Sequence, residues 1–225
     1  MKTRITALCA AALLSTAAHA GTATTVQMDD SSAPWLAYMN VFELDGTSFV
    51  FGQPWGIPDL NATFDDGASN MTFTPNTIGD PDPFWYQGGG GPGALGNKIM
   101  EANLYQQVDD GSLSGTTVTF EGVISSNTFT AAHEARLFIR DFAADFSSSN
   151  DMFIDAVDGA FSLSLDTIAD ASRHVQWGVQ VKGENVWITD TAPFGSLVVR
   201  TVPAPGAFAL LGLGGLTATR RRRNG

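Results

Sequence analysis

Val175-Gln176-Trp177-Gly178-Val179-Gln180-Val181-Lys182 is the stretch on which the fold turns. Val175, Trp177, Val179 and Val181 alternate with Gln176, Gly178, Gln180 and Lys182. Successive side chains of a strand point to opposite faces, so this alternation predicts one buried face and one wet face. The same period recurs upstream. Val118, Phe120, Gly122 and Ile124 alternate with Thr117, Thr119, Glu121 and Val123. Phe161, Leu163 and Leu165 alternate with Ser162, Ser164 and Asp166. Between the two ends of the chain no stretch carries a convincing helical period.

Shorter runs at 38–43, 48–51, 71–74, 98–108, 136–142, 186–189 and 196–201 supply further candidate strands. Asp45-Gly46, Asp65-Asp66-Gly67, Asp109-Asp110-Gly111, Asp158-Gly159 and Lys182-Gly183 separate them as turns. About ten short strands without helices predict an all-β fold, an antiparallel β-sandwich of jelly-roll type. Asp80-Pro81-Asp82-Pro83, Phe84-Trp85-Tyr86 and Gly88-Gly89-Gly90-Gly91-Pro92-Gly93 follow one another. Proline and glycine at this density predict one long surface loop over 77–97. It lacks the Lys-Ser/Thr ending of a phosphate-binding loop, which removes nucleotide binding from consideration.

Charge is unevenly distributed over the 225 residues. All 23 acidic residues lie between Asp29 and Asp190. Setting aside Lys2, Arg4 and Arg220 to Arg223, the middle holds 6 basic residues and a net charge of −17. Such a body is repelled by phosphate backbones, so no nucleic-acid partner is expected.

The ends read as addresses. In residues 1–20, Lys2 and Arg4 precede the apolar run Ile5 to Leu14, and Ala18-His19-Ala20 forms a small-x-small cleavage site at Ala18 and Ala20. These three parts in order predict a secretory signal peptide. The single cysteine, Cys9, falls within it, so the mature protein is expected to have no disulfide and no thiolate-bound metal. Residues 21–200 then form the sandwich domain. Residues 201–225 comprise Val202-Pro203-Ala204-Pro205-Gly206, the apolar stretch Ala207 to Ala218, and Arg220-Arg221-Arg222-Arg223. Two prolines break regular structure, about twelve apolar residues fall short of the roughly twenty that span a bilayer comfortably, and four arginines stay on the cytoplasmic side. The pattern predicts transient membrane insertion as part of a removable sorting signal, with a plain C-terminal anchor as the competing reading.

This tail resembles the PEP-CTERM sorting domain of Gram-negative and related bacteria. Val202, Pro203, Pro205, the glycine-rich stretch from Leu210 to Leu216 and the arginine cluster match its pattern, with Ala204 where the family usually has Glu. The resemblance covers about the last 24 residues. It implies processing by an exosortase-like membrane protease-transpeptidase, a location in the cell envelope, at the cell surface or in the extracellular matrix, and an association with exopolysaccharide and biofilm. The unprocessed form would be held in the inner membrane. A second resemblance covers residues 98–202. Tyr105 to Val108, Gly111 to Phe120, Phe138 to Ser147 and Gly195 to Val199 are similar to the strand order of jelly-roll carbohydrate-binding modules. It implies glycan binding without naming a site.

Catalytic chemistry leaves little trace. Outside the signal segment the histidines are His133 and His174, too few for a three-His metal site. Each is expected at the surface or at a strand end. Leu113 stands where a nucleophile elbow in Gly111 to Gly115 would need serine, so no catalytic residue is expected. Paired carboxylates serve glycoside hydrolysis, yet among 23 acidic residues some pair always lies close. Asp80 and Asp82, Asp109 and Asp110, and Asp151, Asp155 and Asp158 are acidic clusters beside turns, able to supply oxygens to calcium. Flat rings beside polar groups suit sugars, and Trp85, Tyr86, Trp35 and Trp55 all fall in irregular chain, whereas Trp177 belongs to a core face. The expected function is therefore an exported, non-catalytic matrix or surface protein. The alternatives are a dedicated carbohydrate-binding module, calcium-dependent or not, and a glycoside hydrolase.

Overall fold

The computed structural model describes residues 23–202. The signal segment, with Ala18 and Ala20, and the tail from Pro203 through Arg220 to Arg223 lie outside the described residues. The chain is built from strands β1 (Ala23–Val26), β2 (Leu36–Phe42), β3 (Phe49–Pro54), β4 (Ala62–Asp65), β5 (Asn70–Phe73), β6 (Thr77–Ile78) and β7 (Ile99–Val108). It continues through β8 (Thr117–Asn127), β9 (His133–Phe142), β10 (Ser149–Asp155), β11 (Gly159–Asp166), β12 (His174–Glu184), β13 (Val186–Trp187) and β14 (Leu197–Arg200). The only helical turns among the described residues are two short 3₁₀ segments, Ile57–Leu60 and Ala192–Phe194.

The first sheet has the order β10-β9-β12-β7-β2-β3, antiparallel throughout. The second runs β1-β8-β14-β5-β4, with β11 on the free side of β8. Inward residues of both sheets merge in one apolar cluster, which makes the molecule an all-β sandwich. Two pairings depart from the antiparallel expectation: β1 lies parallel to β8, and β13 lies parallel to β6.

The alternation read from sequence accounts for the core. Met39 and Val41, Met100 and Leu104, Leu137 and Ile139, and Val179 and Val181 point inward from the first sheet and are fully buried. Val118 and Phe120 meet them from β8, and the Phe120 ring stands edge-on to Phe161 at 5.0 Å. Each such side chain contributes about 1.5–3 kcal/mol by leaving water, and no sulfur bridge shares the task. Trp177, expected in the core, is buried, and its Nε1 donates to the Gln27 carbonyl at 3.0 Å, tying the N-terminal segment across the sandwich.

β1, β4, β6 and β10 were not among the expected strands. β10 is the edge strand of the first sheet, and its polar residues pair across to β9: Asp151 faces Arg140 and Asp155 faces Arg136 in register. Asp151 and Asp155 therefore stand on a strand rather than beside turns, with the arginines of β9 opposite them. The loop over 77–97 is also more ordered than expected. Its first residues pair with β13, and Tyr86 bridges to Gly96.

Candidate functional site

On β12 the residues expected to face water are not wet. Gln176 and Gln180 are buried, as is Asn103 on the neighbouring strand β7. β12 lies at the centre of its sheet, between β9 and β7, and long side chains from both neighbours cover it. In register across the outer face, Gln176 lies between Arg140 and Gln107, Gly178 between Phe138 and Tyr105, and Gln180 between Arg136 and Asn103. On the far side of β7, Tyr38 of β2 pairs with Asn103.

These amides are tied down in two groups, one centred on Asn103 and one pairing Gln176 with Gln107. Asn103 Oδ1 accepts from Gln180 Nε2 at 3.0 Å and from the Arg140 guanidinium at 3.1 Å. Asn103 Nδ2 donates to the Glu101 carbonyl at 3.1 Å. Gln176 Nε2 donates to Gln107 Oε1 at 2.6 Å. Arg140 starts on β9 and ends on β7, so it must cross β12. The guanidinium lies near the rings of Phe138 and Phe153, 4.6 and 5.0 Å from their centroids. Burial pulls the Arg140 value below that of a free guanidinium, although the Asp151 and Glu101 charges oppose the shift.

Above this floor is a cleft of about 540 Å³. Tyr38 and Tyr105 present half-buried rings to it, and neither phenol hydroxyl has a hydrogen-bond partner among the described residues. Burial pushes the Tyr105 phenol up. Asn40, Asn103, Gln107, Gln176 and Arg140 supply the polar part of the lining, and Phe142 and Phe146 close one end. No carboxylate lines the cleft, in a chain with 23 acidic residues. The acids nearby are engaged with other groups. Glu101 accepts from Asn40 Nδ2 at 3.0 Å and lies 3.7 Å from Lys182 Nζ, and Asp109 accepts from Gln107 and from His174. No family model, no curated protein and no solved structure matches this chain.

The loop aromatics singled out in the sequence lie elsewhere. Tyr86 is 0% exposed, packed edge-on against Trp187 at 5.3 Å, with its hydroxyl donating to the Ile78 carbonyl. Trp35 is 8% exposed, its ring tilted on Phe64 and its Nε1 donating to the Asp30 carbonyl at 2.9 Å. Neither offers a face to a sugar: Trp35 packs into the main core of the sandwich, and Tyr86 packs within its own irregular segment. Trp85 is partly buried between Phe51 and Phe84, and Trp55 is partly buried against the main core. The structure brings none of these four to the cleft.

The calcium clusters also disperse. Asp80 Oδ1 accepts from the Asp82 N–H and Asp82 Oδ1 from the Phe84 N–H, so both are turn acceptors. Asp158 Oδ1 accepts from the Asn127 N–H at 2.6 Å. Among the described residues no group of three or more His, Cys, Asp or Glu side chains could hold a metal ion. Both histidines begin strands, as expected. His133 opens β9 and is buried against Phe129 and Phe194; burial lowers its value, which keeps it neutral. His174 opens β12 with its Nδ1 2.7 Å from Asp109.

Of the sorting motif, Val202 alone is described. Its N–H donates to the Met28 carbonyl at 2.8 Å and it bridges to Asp29, so the last contacts of the fold reach the first residue of the motif. Sequence reading missed the cleft because its residues come from five strands and a turn that lie far apart in the chain. The available signal was the row of outward amides on β12 beside tyrosines at outward positions of β2 and β7.

Proposed function

We propose that this protein is an exported, non-catalytic component of a cell-surface or extracellular matrix, and that it holds exopolysaccharide in the cleft on the outer face of its first sheet. The carrying observation is the lining: two tyrosines, four amides and one arginine, without a carboxylate, on an otherwise acidic molecule. Sugar C–H faces stack on flat rings, and amides both donate and accept toward hydroxyls. Anchoring the amides to one another pre-orients them, which lowers the cost of binding. Glycoside hydrolysis runs on a pair of carboxyl groups, and this lining has none, which favours binding over turnover.

The jelly-roll version of the sandwich belongs to the same reading. Its support is that β12 sits between β9 and β7 and β14 between β8 and β5, so most neighbours are distant in sequence. The route of export belongs to it too: a cleaved signal peptide at the N-terminus, and an exosortase-like enzyme acting on Val202 to Gly206. Replacing Pro203 and Pro205 with Ala and fractionating cells tests the route, and unchanged processing and location would sink it.

The binding test uses the secreted protein on an array of soluble bacterial and plant polysaccharides. Selective, saturable binding that falls at least about tenfold in Tyr105→Ala is expected. Binding unaffected by Tyr105→Ala and by Tyr38→Ala would remove the cleft from the proposal.

A further inference from the structure

The turn 143–148 joins β9 to β10 and carries Phe146, 51% exposed, at the end of the cleft. Its φ is 57°, a left-handed conformation that a bulky side chain adopts only under constraint. The constraint is in the rings. Phe146 lies face to face on His174, with centroids 4.4 Å apart and planes 3° from parallel, and it is tilted on Phe142 at 5.5 Å. Both nitrogens of His174 look at acceptors: Nδ1 at Asp109 Oδ1, 2.7 Å away, and Nε2 at the Ala144 carbonyl, 3.2 Å away. A neutral imidazole has one N–H and satisfies one of these; the imidazolium satisfies both.

We propose that protonated His174 is a latch that holds the 143–148 turn against the sheet and so positions Phe146 as a ligand-contacting wall of the cleft. The inference rests on the cleft being the glycan site. His174 is a positioning residue and Phe146 the ring that touches ligand, extending the aromatic surface begun by Tyr38 and Tyr105. Losing the proton deprives either Asp109 or Ala144 of its donor. The Ala144 bond is the longer one and belongs to the turn, so it breaks first and the strained Phe146 is released.

The charged surroundings agree with this assignment. Asp109 faces the ring from the end of β7, with Asp110 beside it in the chain. From the turn itself, Asp145 is engaged with the Ser147 N–H and hydroxyl. Beneath, on β9, Asp141 is neutralised by Arg173, the residue preceding His174. No unpaired cation among these opposes the imidazolium. Its hydrogen bond to Asp109 holds the imidazole above the usual histidine value, despite the opposing effect of burial.

The test follows amide hydrogen exchange across 143–148 in the full secreted protein from about pH 5.5 to about pH 8.5, corrected for intrinsic exchange. In parallel it measures affinity electrophoresis on hydroxyethylcellulose, a soluble neutral glucan. Protection of the Phe146 N–H, which bonds to the Ala143 carbonyl, is expected to fall by about tenfold or more as pH rises. His174→Gln should flatten that dependence, and Asp109→Asn should move its midpoint to lower pH. Protection unchanged across the range, or equally pH-dependent in His174→Gln, overturns the latch. A pH-dependent turn with glucan retardation that weakens in parallel supports latch and site together. A pH-dependent turn without retardation at any pH supports the latch and counts against the glycan reading. Retardation independent of pH overturns the coupling and leaves the cleft as the site.

Discussion

Arg173 Nε donates to Asp141 Oδ1 at 2.7 Å, with the carboxylate 0% exposed. The same carboxylate accepts from the Ile168 N–H at 2.7 Å, and Arg173 also reaches the Asp141 carbonyl. One buried acid thus fastens both ends of the connection from β11 to β12, where the chain passes from the second sheet back to the first. Removing one partner of a buried ion pair leaves an uncompensated charge, whose cost exceeds the net worth of the pair. Arg173→Met is expected to destabilise the fold by about 3–5 kcal/mol, read by urea unfolding. Asp141→Leu combined with Arg173→Met should cost less than the sum of the single changes, since no charge is stranded.

Gly178 allows the close approach of β7 to β12. A Cβ there would lie 2.1 Å from the Leu104 carbonyl oxygen and 2.8 Å from Tyr105 Cα, so backbone rather than a side-chain tip would have to move. Gly178→Ala should lower stability by about 3 kcal/mol or more, with a matching drop in Tm. A Tm within about 2 °C of the parent would contradict the close approach.

Asn103 anchors the cleft floor. Asn103→Ala strips partners from Arg140 and Gln180 together, and each unpaired buried group costs about 1–3 kcal/mol. Asn103→Asp keeps the oxygen that accepts from both Arg140 and Gln180, gives up the Nδ2 donation to the Glu101 carbonyl, and should be milder in the same unfolding experiment. Equal losses in the two variants would argue that the hydrogen bonds to Arg140 and Gln180 carry little.

Stability should also depend on pH through His174. Its folded value lies above the unfolded one, so its contribution is fully present below about pH 6.5 and is lost as pH rises through the folded value. Asp109 acts in the opposite sense. Burial works to raise its value, but hydrogen bonds from Gln107 and His174 hold it lowered, so its contribution disappears as pH falls through that value. The stability difference between the parent and His174→Gln should therefore be largest in mild acid and shrink toward alkaline pH. A difference constant from about pH 5.5 to about pH 8.5 would refute the assignment.

Calcium and chelator offer a direct check on the dispersed carboxylates. Ligands that bind only the folded state raise Tm by mass action. With Asp80 and Asp82 spent on turns and Asp155 facing Arg136, millimolar calcium should shift Tm by less than about 1 °C. A calcium-dependent rise of several degrees would show a site formed in some other way.

Much of the fold was legible residue by residue. Alternation in β8 and β11 reports directly on burial, because a strand with one dry face must repeat every two residues, whereas in β12 it marks the core face alone, since Gln176 and Gln180 on the other face are buried too. β10 escaped because it is an edge strand with no fully buried face, so its sequence carries no two-residue alternation. Tyr86 was misplaced for a related reason. A glycine- and proline-rich segment looks solvent-bound from its composition, yet it folds over its own aromatic ring and the side chain of Asn185.

By itself, then, the sequence determined the fold class, the identity of most inward side chains and the absence of any cysteine from the folded domain. These are local properties, carried by period, turn chemistry and composition. Only the tertiary structure decided which outward residues would be wet and which would assemble a site. Gln176, Gln180, Asn103, Tyr38, Tyr105 and Arg140 become neighbours because β12 is inserted between β9 and β7, with β2 beyond. That order is set by how the whole apolar surface is buried, which no single strand's sequence encodes.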